Sequence, residues 1–102
     1  MKKFVFIYNG PQSTSAPEPK VMEAWTTWFT NIGAKLVDPG NPFGADVKEV
    51  SGSGVKSMTE NRANGYTIVN AESLEEAAEL AKGCPNNGYD GYTVAVYEAM
   101  PM

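Results

Sequence analysis

The chain has 102 residues, of which 42% are hydrophobic and 20% charged, so we expect residues 1–102 to form a single globular domain. Eight basic residues stand against twelve acidic ones, and no stretch clusters the cations, which argues against a nucleic-acid partner. Histidine is absent. This excludes His-based triads, His metal ligands and the usual near-neutral general base, so we expect no intrinsic metal and no cofactor.

Few features of the sequence indicate a cellular compartment. Cys84 is the only cysteine, so an intrachain disulfide is impossible and an oxidising compartment is not indicated. Lys2 and Lys3 precede a short apolar run, residues 4–8, which is too short for a signal sequence or a membrane span. We therefore expect a cytoplasmic protein without a membrane partner.

The first predicted elements are a strand and an amphipathic helix. Residues 1–8 predict a strand that is apolar on both faces, which is typical of a central strand. Its faces carry Phe4, Phe6 and Tyr8 on one side and Val5 and Ile7 on the other. A helix is predicted to start near Glu18 and Pro19 and to stop at Gly33. The apolar stripe of this helix consists of Val21, Ala24, Trp25, Trp28, Phe29 and Ile32.

The middle of the chain predicts short strands and turns. Residues 34–37 predict a strand, and the Pro- and Gly-rich residues 38–42 predict a loop. Residues 47–50 and 55–58 predict a hairpin whose loop is residues 51–54. Because no helix follows Gly52-Ser53-Gly54, a hairpin turn is favoured there over a phosphate-binding loop.

The second half predicts a strand, a helix and a last strand. Residues 66–71 predict the strand, and Ser73 with Glu76 predicts a capping box that begins the helix. Gly83 followed by Cys84-Pro85 predicts the end of that helix. Its inner stripe is predicted to be Leu74, Ala77, Ala78 and Ala81. Residues 92–99 predict the final strand.

The element order β-α-β-hairpin-β-α-β predicts a fold of the α+β class. It indicates a ferredoxin-like antiparallel sheet with an inserted hairpin and both helices on one face. One face of the sheet would then be left open although its strands carry apolar residues on both faces. We therefore expect the chain to self-associate as a homodimer through the open face.

Most of the chain resembles the YCII-related family. The resemblance lies in residues 1–8, 25–29, 36–42, 65–69, 73–78, 81–85 and 96–100, and its most specific part runs from Gly65 to Pro85. It implies a dimeric α/β barrel in which two ferredoxin-like sheets pack face to face. Most of that family has no assigned function.

Two departures from the family pattern leave the function open. Some YCII-related proteins are similar to small lyases that use a His–Asp pair, and this chain has no histidine. Another branch carries an Asp-Gly-Pro-Phe motif where this chain has residues 59–62, Thr-Glu-Asn-Arg. The resemblance therefore supplies no catalytic residues.

Several single residues are candidates for a site, each with an alternative structural role. Asp38 is a carboxylate beside a rigid loop, or a side chain that caps its own turn. Glu98 is a pocket carboxylate or a solvated strand end. Arg62, the only arginine, is an anion anchor or an ordinary surface side chain. Cys84 follows a helix C-terminus, which favours a packed thiol over an activated one.

Two hypotheses about function remain open from the sequence. The first is a small-molecule binding protein or cofactor-free enzyme with a mostly apolar pocket between sheet and helices. Its predicted lining is Tyr8, Trp25, Trp28, Phe43 and Tyr66, with Asp38 at the mouth. The second is a non-catalytic dimerisation or accessory module without a small-molecule ligand. The ligand-binding hypothesis predicts an aromatic or aliphatic small molecule rather than a phosphorylated one.

Overall fold

The computed structural model describes residues 1–11, 18–58 and 63–102. The strands are β1 (Lys2–Asn9), β2 (Leu36–Asp38), β3 (Lys48–Ser51), β4 (Gly54–Ser57), β5 (Ala63–Ala71) and β6 (Thr93–Glu98). The α-helices are α1 (Pro19–Ile32) and α2 (Leu74–Lys82), and short 3-10 helices cover Gly33–Lys35 and Pro85–Gly88. None of these helices is long and apolar enough to cross a membrane.

Four of the strands form one antiparallel sheet in the order β2-β5-β1-β6, and β3 and β4 form a separate hairpin. In this register Phe6 lies between Thr67 of β5 and Val96 of β6, while Ile7 lies between Tyr66 and Ala95. Helix α1 connects β1 to β2, and β5 lies between those two strands. Helix α2 connects β5 to β6, and β1 lies between them. This arrangement confirms the predicted ferredoxin-like α+β class with an inserted hairpin.

The core lies between one face of the sheet and the two helices. Because side chains alternate along a strand, Phe4, Phe6 and Tyr8 of β1 are buried on one face while Val5 and Ile7 on the other are only half-buried. The buried apolar side chains are Phe4, Phe6, Tyr8, Trp28, Ile32, Val69, Ala71, Ala77, Ala81 and Cys84. Both helices contribute to this cluster, so both cover the same face of the sheet, and neither covers the other face, which we call the open face.

Helix α1 has its predicted bounds because both of its ends are specified locally. Pro19 occupies the first turn, and Gly33 ends the helix with a φ of 63°, a conformation that favours glycine. Of the predicted stripe, Trp28 and Ile32 are buried. Ala24 is exposed, contrary to the prediction.

Helix α2 begins as predicted, but its details differ. The Ser73 hydroxyl accepts a hydrogen bond from the Glu76 amide at 3.1 Å. The Glu76 carboxylate accepts a hydrogen bond from Lys35 Nζ at 2.8 Å. Leu74 is 48% exposed, so its assignment to the inner stripe is wrong: it is the first helical residue and lies outside the buried cluster.

The observed strands depart from the predicted ranges at their ends. After Gly33 the chain continues as a 3-10 turn, so the second strand begins at Leu36 rather than at residue 34. In the hairpin Ser51 pairs with Gly54, which leaves a loop of two residues, 52–53, instead of the predicted four. The fifth strand starts at Ala63, because residues 63–65 pair with the end of β1.

Candidate functional site

Three of the predicted site residues form an aromatic cluster on the helical side of the sheet. Tyr8 meets Trp25 edge-on with ring centroids 4.9 Å apart, and Trp25 meets Trp28 edge-on at 5.7 Å. Trp28 also stacks on Phe6 at 6.0 Å, and its indole Nε1 donates to the Leu80 carbonyl at 3.0 Å. The rings therefore pack against one another and against α2, as parts of the core.

The Tyr8 hydroxyl belongs to a buried chain of hydrogen bonds. Thr67 Oγ1 donates to the Pro39 carbonyl at 2.8 Å, so the hydroxyl of Tyr8 is the donor in its own bond to Thr67. Burial raises the pKa of Tyr8 above its ordinary value. The neutral phenol thus ties β1, through β5, to the loop that follows β2.

The other predicted residues lie on the open face of the sheet. Tyr66 precedes Thr67 in β5 and lies beside Ile7, so its side chain is on the face opposite to Tyr8. The Phe43 ring stacks on the Tyr66 ring, with centroids 5.8 Å apart and an angle of 24° between the planes. The Phe43 amide donates to the Asn64 carbonyl at 2.8 Å, which fixes the loop against β5.

Asp38 lies at the end of β2 beside this aromatic pair. One carboxylate oxygen, Oδ1, accepts the Gly40 amide at 2.8 Å, so the predicted turn cap is present. The other, Oδ2, lies 3.4 Å from the Tyr66 hydroxyl. Gly40 has a φ of 78°, and a Cβ there would overlap the Tyr66 carbonyl oxygen, so only glycine allows this loop to approach β5.

The structure therefore divides the predicted pocket into two groups on opposite faces of the sheet. The helical-side group is Tyr8, Trp25 and Trp28, and the open-face group, which we call the Asp38 site, is Asp38, Phe43 and Tyr66. The division arises because Tyr8 pairs with Gly65, which places Tyr66 one residue out of phase with it. That these residues bind a ligand stays a prediction.

The remaining candidates have ordinary structural positions. Cys84 is 3% exposed, and burial raises the pKa of its thiol to about 12, in agreement with the predicted inert role. Glu98 ends β6 and is half-buried beside Phe4 in the register. Arg62, like the rest of residues 59–62, lies outside the described residues. The described part of the chain has no group of three or more Cys, Asp or Glu side chains that could hold a metal.

Two features of possible binding surfaces were missed by sequence reasoning. Ile7 and Ile68 flank Tyr66 on the open face, and only the strand register reveals that neighbourhood. A cleft of about 680 Å³ lies between the helices, lined in part by Lys20, Glu23, Trp28 and Leu80. Gly83, which was predicted only as the end of α2, makes room beside this cleft for the Trp28 ring, whose nearest atom lies 3.2 Å from where a Cβ would be.

The chain thus has a ferredoxin-like α+β fold with aromatic and carboxylate side chains on its open face. No family model and no curated protein matches the sequence. Among solved structures it is similar to 5-chloro-2-hydroxyhydroquinone dehydrochlorinase (TftG) from Burkholderia phenoliruptrix AC1100, in complex with 2,5-dihydroxybenzoquinone. The TM-score is 0.63 at 16% identity over 96% of this chain and 93% of that one, which shows a shared fold. B. subtilis GlnK aligns with a TM-score of 0.42 at 20% identity over 97% of this chain and 86% of that one.

Proposed function

We propose that the chain is a YCII-like, self-associating protein that binds a small aromatic molecule at the Asp38 site. The observation that carries the proposal is the stacked pair Phe43–Tyr66 beside a half-buried carboxylate. Phe43 is 44% exposed, so part of its ring is accessible to a ligand. Small-molecule sites are lined mostly by apolar and aromatic side chains with a few polar groups that orient the ligand, and the Phe43–Tyr66 pair with Asp38 has this composition.

The local chemistry favours an aromatic ligand over a phosphorylated one. A planar ring can extend the Phe43–Tyr66 stack, and offset aromatic contacts contribute about 0.5–1.5 kcal/mol beyond burial of the same area. The carboxylate of Asp38 accepts hydrogen bonds from ligand hydroxyl or amine groups and repels phosphate. TftG, of the same fold, is described in complex with a dihydroxylated ring, which is compatible with this ligand class.

Self-association would complete the site. The Asp38 site lies on the sheet face without helices, where Ile7, Ile68 and Tyr66 are half-buried. A second copy seated on that face would cover these side chains and enclose the ring of the ligand. Enclosing the ring would remove more of its apolar surface from water than binding on an open sheet, which would favour binding.

A thermal-shift screen of small aromatic compounds tests the proposal. A compound that binds only the folded state at a concentration of one hundred times its Kd stabilises the protein by about 2.7 kcal/mol. We expect hits with the unaltered protein and their loss in Phe43→Ala. Tyr89→Ala is the matched control, because Tyr89 is also an exposed aromatic, at 50%, and lies outside the site.

Two results would contradict the proposal: no compound stabilises the protein, or the stabilisation persists in Phe43→Ala. The second hypothesis, a dimerisation or accessory module without a ligand, would then account better for the half-buried apolar side chains of the open face.

A further inference from the structure

Asp38 carries a negative charge that no described cation balances. In the described part of the chain the ion pairs are Lys35–Glu76, Lys56–Glu49 and Lys82–Glu79. Asp38 takes part in none of these pairs, and its hydrogen bonds come from an uncharged amide and a phenol. The residue as a whole is half-buried at the end of β2.

Two lysines close to β2 in sequence or in the sheet, Lys35 and Lys3, form no ion pair with Asp38. Lys35 is held by Glu76 at 2.8 Å on α2, which packs on the other face of the sheet. Lys3 shares the open face, but it pairs with Asn70 whereas Asp38 pairs with Ile68. Strand geometry separates the Cα atoms of Lys3 and Asp38 by about 12 Å, and these two side chains form no ion pair.

The aromatic pair beside the carboxylate also favours positive charge. The faces of aromatic rings are electronegative, and a cation within about 6 Å of a ring centroid is attracted to them. The Phe43 and Tyr66 rings are stacked and Phe43 is 44% exposed, so part of the ring surface is accessible to such a group. A carboxylate or phosphate on the ligand would instead meet Asp38 as a like charge.

We infer that the ligand of the Asp38 site is an aromatic amine-bearing cation, because a carboxylate that pairs with no described cation lies beside the stacked Phe43 and Tyr66 rings. This inference rests on the proposed function, since it names the ligand class of that site. The protonated nitrogen donates a hydrogen bond to Asp38 Oδ2, and the ring of the ligand continues the stack. The overall charge of −4 also favours the approach of a cation.

Calorimetric titration with three ligands of one scaffold tests the inference. Tyramine, 4-ethylphenol and 4-hydroxyphenylacetate share a phenol ring and differ in carrying a positive, no or a negative charge. We expect tyramine to bind at least about tenfold more tightly than 4-ethylphenol, as a charge-assisted hydrogen bond would give. The acid should bind most weakly.

The variant Asp38→Asn isolates the charge. Asparagine keeps an oxygen that can accept the Gly40 amide, so the turn is preserved. We expect tyramine affinity to fall about tenfold, to that of 4-ethylphenol, while 4-ethylphenol binding stays unchanged. Asp46→Asn makes the same change in net charge at an exposed position outside the site and should not alter the affinities.

The outcomes separate the inference from the proposed function. Three results would overturn the inference and leave an aromatic site in place. The three ligands could bind equally, the acid could bind most tightly, or tyramine affinity could fall equally in Asp38→Asn and Asp46→Asn. Binding of none of the three at millimolar concentration would overturn the inference, and the proposed function would fall with it only if the aromatic screen also yields no stabilising compound. The comparison of ligands on the unaltered protein does not depend on how any variant folds.

Discussion

Two ionisable side chains are buried in the apolar core, and neither is available for chemistry at neutral pH. Tyr8 is 7% exposed, and its hydroxyl is used in the bond to Thr67. Cys84 is 3% exposed, directly after α2. Burial raises the pKa of both groups because the charged form loses its hydration. At the residue scale, the potential nucleophiles of the described core therefore serve packing.

Burial of Cys84 predicts loss of stability in alkaline solution. The folded thiol has a pKa of about 12, whereas a thiol in the unfolded chain has an ordinary pKa of about 8.5. Above the unfolded pKa the unfolded state binds fewer protons than the folded state, so the free energy of unfolding falls as pH rises. We expect a loss of about 1.4 kcal/mol between pH 7.5 and 9.5, measured by urea unfolding.

The control for this prediction is Cys84→Ala, which removes the thiol. The variant should be less stable at pH 7.5 because it leaves a small cavity, but its stability should decline less between pH 7.5 and 9.5. Equal declines in the two proteins would contradict the assigned role of Cys84. Ionisation of Tyr8 in the unfolded chain lowers the free energy of unfolding further only above about pH 10, outside this pH range.

At the scale of elements, the hairpin β3–β4 differs from the other described strands in having no buried or half-buried residue. Every residue of both strands is exposed, including the paired Val50 and Val55, at 73% and 67%. The hairpin is held by its own ladder and by a Lys56–Glu49 ion pair at 3.1 Å. A two-stranded hairpin alone is at best marginally stable, so the rest of the fold gains little from it.

Removal of the hairpin is therefore expected to leave the fold intact. The Met58 amide donates to the Val47 carbonyl at 2.9 Å, so an Asn-Gly turn can join these residues once Lys48–Ser57 is excised. We expect the free energy of unfolding to change by less than about 1 kcal/mol, as for other exposed sites. Val69→Ala, at a fully buried position, provides the contrast and should cost about 2 kcal/mol. A larger loss on excision than in Val69→Ala would show that the hairpin packs on the body of the protein.

How far the sequence predicted each element depends on how local its determinants are. Helix α1 was predicted well because its proline, its stripe and Gly33 all lie within its own span. Gly83 also ends α2 as predicted, but with a φ of −79°, and its lack of a side chain serves the distant Trp28 ring. The predicted single pocket shows the same limit, because its residues lie on two faces of the sheet. Alternation along β5 is local, whereas the pairing of Tyr8 with Gly65 is a tertiary choice.

At the scale of the whole molecule, the described fold is flat. Its principal extents are 41 × 39 × 20 Å, and its radius of gyration is 14.8 Å. A compact chain of this length would have a radius of gyration of about 13 Å. The short dimension corresponds to one sheet and one layer of helices, so no second layer covers the open face. The proposed self-association would supply that layer.

A charge placed on the open face should prevent self-association. Val5 is half-buried there, between Ile68 and Tyr97 in the register. We expect the unaltered protein to have twice the 11.0 kDa chain mass in light scattering coupled to gel filtration, and Val5→Lys to have the mass of one chain. The physical reason is that an unpaired ammonium group buried between two sheets costs several kcal/mol. Val50→Lys makes the same substitution on the exposed hairpin and should stay dimeric. A monomeric unaltered protein at micromolar concentration, or a dimeric Val5→Lys with a native circular dichroism spectrum, would show that the open face is not the interface.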